Sequence, residues 1–211
     1  MKSSRNNASV IAVLFLALAF NTLCTDAATN DPIQFGLKIR AGGRYDNVRK
    51  CVASPTGTKG GIAADISAFA EFPVSDGTLI HVDLPVMRPI LFAAAFNMLQ
   101  FEPTVALKFY DTSPGNVGWV AGPVLGVSLN YGPDYKSETN GVGRTASFFS
   151  MGPIVGAYAG LDFRRPGEAF NFQLGLSPYV IPLFGVGDPE NHQGVVIGGL
   201  LDATVRFGGT N

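Results

Sequence analysis

Residues 33–40 read Ile-Gln-Phe-Gly-Leu-Lys-Ile-Arg, with Ile33, Phe35, Leu37 and Ile39 alternating against Gln34, Gly36, Lys38 and Arg40. An apolar residue at every second position is the period of an extended strand with one oily face and one polar face; a helix would repeat every 3.6 residues. The same alternation returns along the chain as far as Phe207. Ile62, Ala64, Ile66, Ala68, Ala70 and Phe72 oppose Asp65, Ser67 and Glu71, and Ile80, Val82 and Leu84 oppose His81 and Asp83. Leu99, Phe101, Val105, Leu107 and Phe109 oppose Gln100, Glu102, Thr104 and Lys108. Trp119, Ala121, Leu125, Val127 and Leu129 oppose Gly118, Gly122, Gly126, Ser128 and Asn130, while Met151 to Phe163 set Gly152, Gly156, Gly160 and Asp162 on the other face. Phe170, Phe172, Leu174 and Leu176 oppose Asn171, Gln173, Gly175 and Ser177; Ile197, Leu201, Ala203, Val205 and Phe207 oppose Gly198, Asp202, Thr204 and Arg206. Eight strands within 33–207 are expected.

The connections between these segments alternate long and short. The short ones carry turn residues: Ser75-Asp76-Gly77, Asp111 to Asn116, and Arg164-Arg165-Pro166-Gly167-Glu168. The long ones, at 43–59, 132–146 and 182–193, are polar and irregular. Seven strands place an aromatic residue of the apolar face close to a short-turn or chain-terminal end: Phe35, Phe72, Phe109, Trp119, Phe163, Phe170 and Phe207. Rings sorted to one end of seven of the eight strands are what a membrane–water interface selects, since aromatic side chains favour the headgroup level.

Composition narrows the classes. Of 211 residues, 15% are charged and 46% hydrophobic, with 26 glycines and a net charge of −1. Average soluble domains carry roughly 25% charged residues. Disorder needs low hydrophobicity and high charge, and a nucleic-acid partner leaves a basic footprint that is lacking here. The N-terminus has Lys2 and Arg5, an apolar run from Val10 to Phe20, and small residues around Thr25-Asp26-Ala27. That run is too short to span a bilayer and fits a cleaved export signal over residues 1–27, leaving a barrel of residues 28–211. Leu23 directly before Cys24 and Asn21 in place of leucine speak against a lipoprotein signal. Cys51 is then the one cysteine of the mature chain, so no internal disulfide is expected.

Alternation alone does not say which face looks outward. The polar face is rich in Gly, Ser, Asn, Gln and Thr, whereas an exposed surface normally carries ~25–35% charged residues. A tight eight-stranded barrel has an interior that side chains fill, and the glycine rows fit such a crowded space. Its charges also come in both signs: Lys38, Arg40, Asp65, Glu71, Asp83, Glu102, Lys108, Asp162, Asp202 and Arg206. These ten are expected to pair across the lumen, with the apolar face turned to lipid. A slip of one residue would move them into hydrocarbon, so the register should be strongly specified.

On these features the chain resembles the small eight-stranded outer-membrane β-barrels, the class containing the OmpA transmembrane domain, OmpX and OmpW. The resemblance is one of architecture and covers nearly all of the mature chain. It implies an all-β, antiparallel up-and-down barrel in a Gram-negative-type outer membrane, reached through the barrel insertion machinery, with both termini in the periplasm. Members usually end on an aromatic residue; here Gly208-Gly209-Thr210-Asn211 follows Phe207.

Two stretches sit awkwardly in this reading. Pro103, Pro123 and Pro153 fall inside strands and each removes a ladder donor, which places them at bulges. The loop from Met87 to Met98 is mostly apolar: a short helix on the membrane, a plug over the barrel mouth, or longer strands around a tight turn.

Little catalytic chemistry is visible. His81 with Asp83, and Ser67 or Ser128 near by, is the one arrangement that would suit a lipid-modifying hydrolase; a paired interior histidine is the simpler expectation. His192 falls in a polar loop. No His/Cys spacing fits a metal and no phosphate loop is present, so no catalytic residue, cofactor or metal is expected. The leading reading is a structural or surface-interaction barrel, with partners in outer-membrane lipid and in any extracellular ligand met by the loops. A narrow conduit for small or hydrophobic molecules, a lipid-modifying enzyme at His81, and a soluble lipocalin-like barrel with reversed faces are the alternatives.

Overall fold

A computed structural model of the chain describes residues 33–46, 60–94, 99–133, 147–163, 170–186 and 194–207. Residues 1–27, Cys51 and His192 lie outside them. In chain order the elements are β1 (Gln34–Asp46), β2 (Gly61–Ser75), β3 (Thr78–Pro85), helix α1 (Met87–Ala94), β4 (Leu99–Phe101), β5 (Thr104–Tyr110), β6 (Val117–Pro133), β7 (Ser147–Phe163), β8 (Phe170–Gly185) and β9 (Gly194–Phe207).

With β4 and β5 taken together, each strand pairs antiparallel with the strands before and after it in the chain, β3 through β5, and β1 pairs with β9 to close the sheet on itself. β4 and β5 are two halves of one strand. Both pair with β6 in a single register, Phe101 opposite Leu129 and Thr104 opposite Gly126. The break falls at Pro103, which has no N–H to give the ladder, although its carbonyl still accepts from Val127 N–H at 3.2 Å. The barrel therefore has eight strands, as the alternation predicts.

The register fixes its shape. Starting at Phe35, successive partners are Ala70, Val82, Val105, Leu125, Val155, Val180 and Ile197, and Ile197 pairs with Tyr45. One circuit thus returns to β1 ten residues beyond its start. With about 3.3 Å per residue along a strand and about 4.8 Å between strands, that stagger tilts the strands by roughly 40° to the barrel axis, within the range of closed barrels.

The polar face is the inner one. Leu37 and Leu174 are 47% and 45% exposed, while Lys38, Lys108 and Gln173 are buried. Away from the strand ends the described outward residues are apolar, including Ile39, Ile66, Leu84, Leu125, Leu161, Leu176 and Leu201. A lipocalin-type core would require the reverse arrangement.

Several boundaries differ from the sequence reading. Residues 43–46, 132–133 and 182–185, expected in loops, extend β1, β6 and β8. Pro123 and Pro153 are not at bulges. Their outward rings leave gaps in the β5–β6 and β7–β8 ladders while the register on either side is unchanged. The single register shift lies between Pro73 and Ser75, beside the tight turn at Asp76 and Gly77, where Gly77 takes φ +70°. Left-handed backbone of that kind favours glycine. The apolar 87–98 stretch contains α1 rather than a longer strand pair.

Interior glycines make room for aromatic rings on neighbouring strands. A Cβ on Gly36 would lie 2.3 Å from the Phe69 ring, one on Gly175 2.4 Å from the Tyr158 ring, and one on Gly198 2.4 Å from the Tyr179 ring. Gly175→Ala should therefore lower stability by about 1–3 kcal/mol, the usual cost of overpacking. Gly199→Ala, where an added Cβ meets nothing within 4 Å, should leave the urea midpoint of the refolded barrel unchanged. Equal midpoints for the two variants would contradict the packing described.

Candidate functional site in the barrel lumen

Because inward positions alternate along every strand, polar residues distant in sequence meet inside the barrel. They form two clusters, one toward the short-turn end and one toward the long-loop end.

Glu71 on β2 is the centre of the first. Its Oε1 accepts from His81 Nδ1 at 2.8 Å, Lys108 Nζ at 3.2 Å and the Tyr110 hydroxyl at 3.4 Å. Arg206 approaches Oε2 at 3.9 Å. Lys38 pairs with Asp83, and its Nζ lies 3.3 Å from His81 Nε2. An ammonium can only donate, so Nε2 accepts and the network assigns the ring proton to Nδ1, facing Glu71. Phe69 stacks on the imidazole with centroids 4.6 Å apart. Gln173 bridges onward: its Nε2 donates to Tyr110 Oη at 2.7 Å and to Asp162 Oδ1 at 3.1 Å, and its Oε1 accepts from Lys108 at 3.3 Å. Arg206 pairs with Asp162 and lies 5.5 Å from the Tyr110 ring centroid. Ser177 donates to Asp202.

Glu102 anchors the second cluster. Its Oε1 accepts from Arg44 at 3.3 Å and Ser128 Oγ at 3.1 Å, and its Oε2 from Arg88 at 2.9 Å. Arg44 also reaches Asp46 at 3.4 Å, and Asp65 receives Arg40 at 3.5 Å and Arg88 Nε at 3.3 Å. Arg88 comes from α1. It turns inward over the barrel mouth, donating also to the Ala64 carbonyl at 3.3 Å, while Ile90 on the same helix is exposed. The first turn of α1 is thus stitched to the lumen by one guanidinium. Across from this cluster the wall is apolar, with Ile154, Ile181, Leu183 and Val196 packed together and Tyr179 against them.

All ten charged residues singled out from the sequence are buried in the lumen. They do not form one network but divide between the clusters. Arg44, Asp46 and Arg88 were missed. Arg44 and Asp46 lie beyond the Gly42-Gly43 pair, where the apolar alternation lapses, and Arg88 sits in an apolar stretch outside any strand. Tyr110, Tyr158 and Tyr179 were missed too, because tyrosine in the polar parity reads as apolar in an alternation count.

The hydrolase arrangement is not assembled. His81 is committed to Glu71 and Lys38. Ser67 lies opposite Pro85, four residues along β3 from His81, or about 13 Å at strand spacing. Ser128 belongs to the Glu102 cluster. Among the described residues no group of His, Cys, Asp and Glu is placed to hold a metal ion.

Of the aromatics near the short-turn end, Phe35, Phe72, Phe109, Trp119 and Phe207 are exposed on the outer face. Phe163 is half-buried against Phe172, with ring centroids 5.9 Å apart. Phe170 pairs with Phe207 in register, and its side chain lies outside the described ones. A second set, Tyr45, Tyr131, Phe149 and Phe184, is exposed near the long-loop end. The sequence reading missed these four because Tyr45 and Phe184 fall within segments read as loops, Tyr131 borders one, and Phe149 precedes the strand start at Met151.

No family model matches the sequence, and no curated protein matches it. Solved structures do. The crystal structure of Neisserial surface protein A (NspA) aligns with a TM-score of 0.55 at 14% identity, covering 84% of this chain and 99% of NspA. The N-terminal β-barrel domain of Pseudomonas aeruginosa OprF aligns with a TM-score of 0.40 at 13% identity, covering 83% of this chain and all of that domain. At such identity the likeness to NspA is one of fold alone.

Proposed function

We propose that this chain is an integral outer-membrane β-barrel whose role is structural or lies in surface interaction, with its long loops facing the outside and its short turns and both termini in the periplasm. The observation that carries this reading is the outer wall: an uncharged apolar band bounded at each end by aromatic residues. On β1 the band runs from Phe35 to Tyr45, a rise of ten residue steps. At the strand tilt found here that is about 25 Å along the axis, the height of the apolar band of outer-membrane barrels. On β6 it runs from Trp119 to Tyr131, about 30 Å by the same conversion, comparable with a hydrocarbon core. A wall of this kind in water would expose a far larger apolar patch than soluble proteins tolerate. The side-chain-filled lumen supports a structural role.

Export of the native chain tests the proposal. It should be recovered with the outer-membrane fraction and should migrate faster on a gel when left unboiled, as a barrel that resists detergent does. Recovery as a soluble periplasmic protein would refute it.

A further inference from the structure

β3 stops short of its neighbours. Its last rung joins Pro85 to Ser67, yet β2 continues to Gly61, which pairs with Arg44 beside Tyr45 at the long-loop rim. On the far side β5 pairs with β3 only from Thr104 onward, and β4 pairs with β6 alone. Among the described residues, the wall between β2 and β4 therefore lacks one strand. The gap is about 9.6 Å wide between strand axes, two sheet spacings, and about 20 Å long over residues 61–66. An α-helix, about 10 Å across, fits that width, and α1 lies there against β2 and β4. Val86 N–H leads into it by donating to the Ile66 carbonyl at 2.9 Å. Arg88, the one charged residue of α1, then clasps both sides. It reaches Asp65 and the Ala64 carbonyl on β2, each at 3.3 Å, and Glu102 at 2.9 Å where β4 runs into β5.

Half a circuit round the barrel from β3 is β8. The rungs lead from Val82 through Val105, Leu125 and Val155 to Val180. Half of the ten-residue stagger is five, so Val180 stands level with a point five residues beyond Val82, past the end of β3. Ile181 and Leu183 stand higher still and face the gap across the lumen, packed with Ile154 and Val196. The apolar patch of the lumen thus lies opposite the break in the wall.

We infer that this gap is a side portal into the lumen for an apolar molecule dissolved in the outer leaflet, with α1 as its gate and Arg88 as the clasp that holds it shut. The inference rests on the outer wall meeting lipid, as proposed above. Position sets the ligand class, because the gap lies below the aromatic rim, flanked outside by the exposed Ile62 and Ile66, where only what dissolves in hydrocarbon arrives. Opening is also cheapest here. Parting two strands elsewhere breaks ladder hydrogen bonds that hydrocarbon cannot replace, whereas displacing α1 releases the contacts of Arg88. Neither carboxylate is then left alone: Asp65 keeps Arg40, and Glu102 keeps Arg44 and Ser128. Space lies behind the gate, since Glu102 also lines a cavity of about 40 Å³ with Ile154, Tyr179 and Leu200.

An apolar aryl-diazirine photoprobe, which partitions into hydrocarbon, tests the portal. The full chain is refolded into phosphatidylcholine vesicles, verified by its unboiled gel mobility, photolabelled and mapped by peptide mass spectrometry. Leu125 and Leu176 on the outer wall should label in every variant. Their failure to label would overturn the membrane location, and the portal with it, and is read separately from the lumen residues. Ile181 and Leu183 should label weakly in the native chain. Arg88→Met should raise their labelling about tenfold relative to Leu176, the response of a closed state that has lost its own ion pairing, and Arg88→Lys should fall between. Gly175→Ala, which strains the opposite wall but keeps the clasp, should stay at the native level. If Arg88→Met does not insert, Asp65→Asn, which cuts the β2 side of the clasp, takes its place. An inserted clasp variant with unchanged lumen labelling would overturn the inference, leaving α1 a fixed part of the wall. So would an equal rise in Gly175→Ala, or stronger labelling by a charged, water-soluble diazirine, which would put the opening at the barrel mouth.

Discussion

Glu71→Ala is expected to lower the unfolding free energy of the refolded barrel by about 3–5 kcal/mol, the cost of removing one partner from a buried charge network. Glu71 is fully buried and a single oxygen gathers a histidine, a lysine and a tyrosine hydroxyl. Without it Lys108 keeps Gln173 as a hydrogen-bond acceptor but loses its carboxylate, and Arg206 keeps only the Asp162 side of its pairing. Glu71→Gln preserves an acceptor for His81 and should recover part of the loss. Urea-induced unfolding in detergent or lipid, followed by gel mobility, measures both. A loss below about 1 kcal/mol for the alanine variant, in the range of an exposed ion pair, would mean that the network does not hold the two sides of the barrel together.

The second large effect concerns the opposite face. Leu125 stands midway between Trp119 and Tyr131 on β6, 46% exposed on the outer wall. Leu125→Arg should reduce folding into phospholipid vesicles by about 2–4 kcal/mol, the penalty for a basic residue at the bilayer midplane of such barrels. Against a typical total of about 5–15 kcal/mol, that leaves a large unfolded fraction at modest urea. The same substitution on a surface facing water is nearly neutral, so the variant discriminates between the two environments of the wall. Unimpaired insertion would remove the basis for a membrane location.

The fold was legible because the alternation of Leu37 with Lys38, or of Leu107 with Lys108, reports which side of a strand each residue occupies, and antiparallel neighbours follow from short connections. The second half of β8 was not. Pro178 and Pro182 interrupt its pattern, and Ile181 and Leu183 put apolar side chains into the lumen, so neither propensity nor period marks a strand there. The pairing of β1 with β9 joins residues far apart in the chain, which local periodicity does not report. Of the lumen, the sequence disclosed which charges point inward but not which meet. Glu71 with Lys108 and Glu102 with Arg44 are set by the ten-residue stagger, a property of the closed barrel as a whole. Arg88 escaped for a different reason, since it enters the lumen from a helix.

The outward prolines make the circumference mechanically uneven. Between β6 and β7 the rungs run without interruption from Val117 to Pro133, whereas along β7–β8 they lapse around Pro153 and again around Pro178. Amide deuteration, strand separation under load and the final zippering step of assembly all begin where rungs are fewest, and that line of weakness runs along β5, which shares six paired positions with β3 and five with β6.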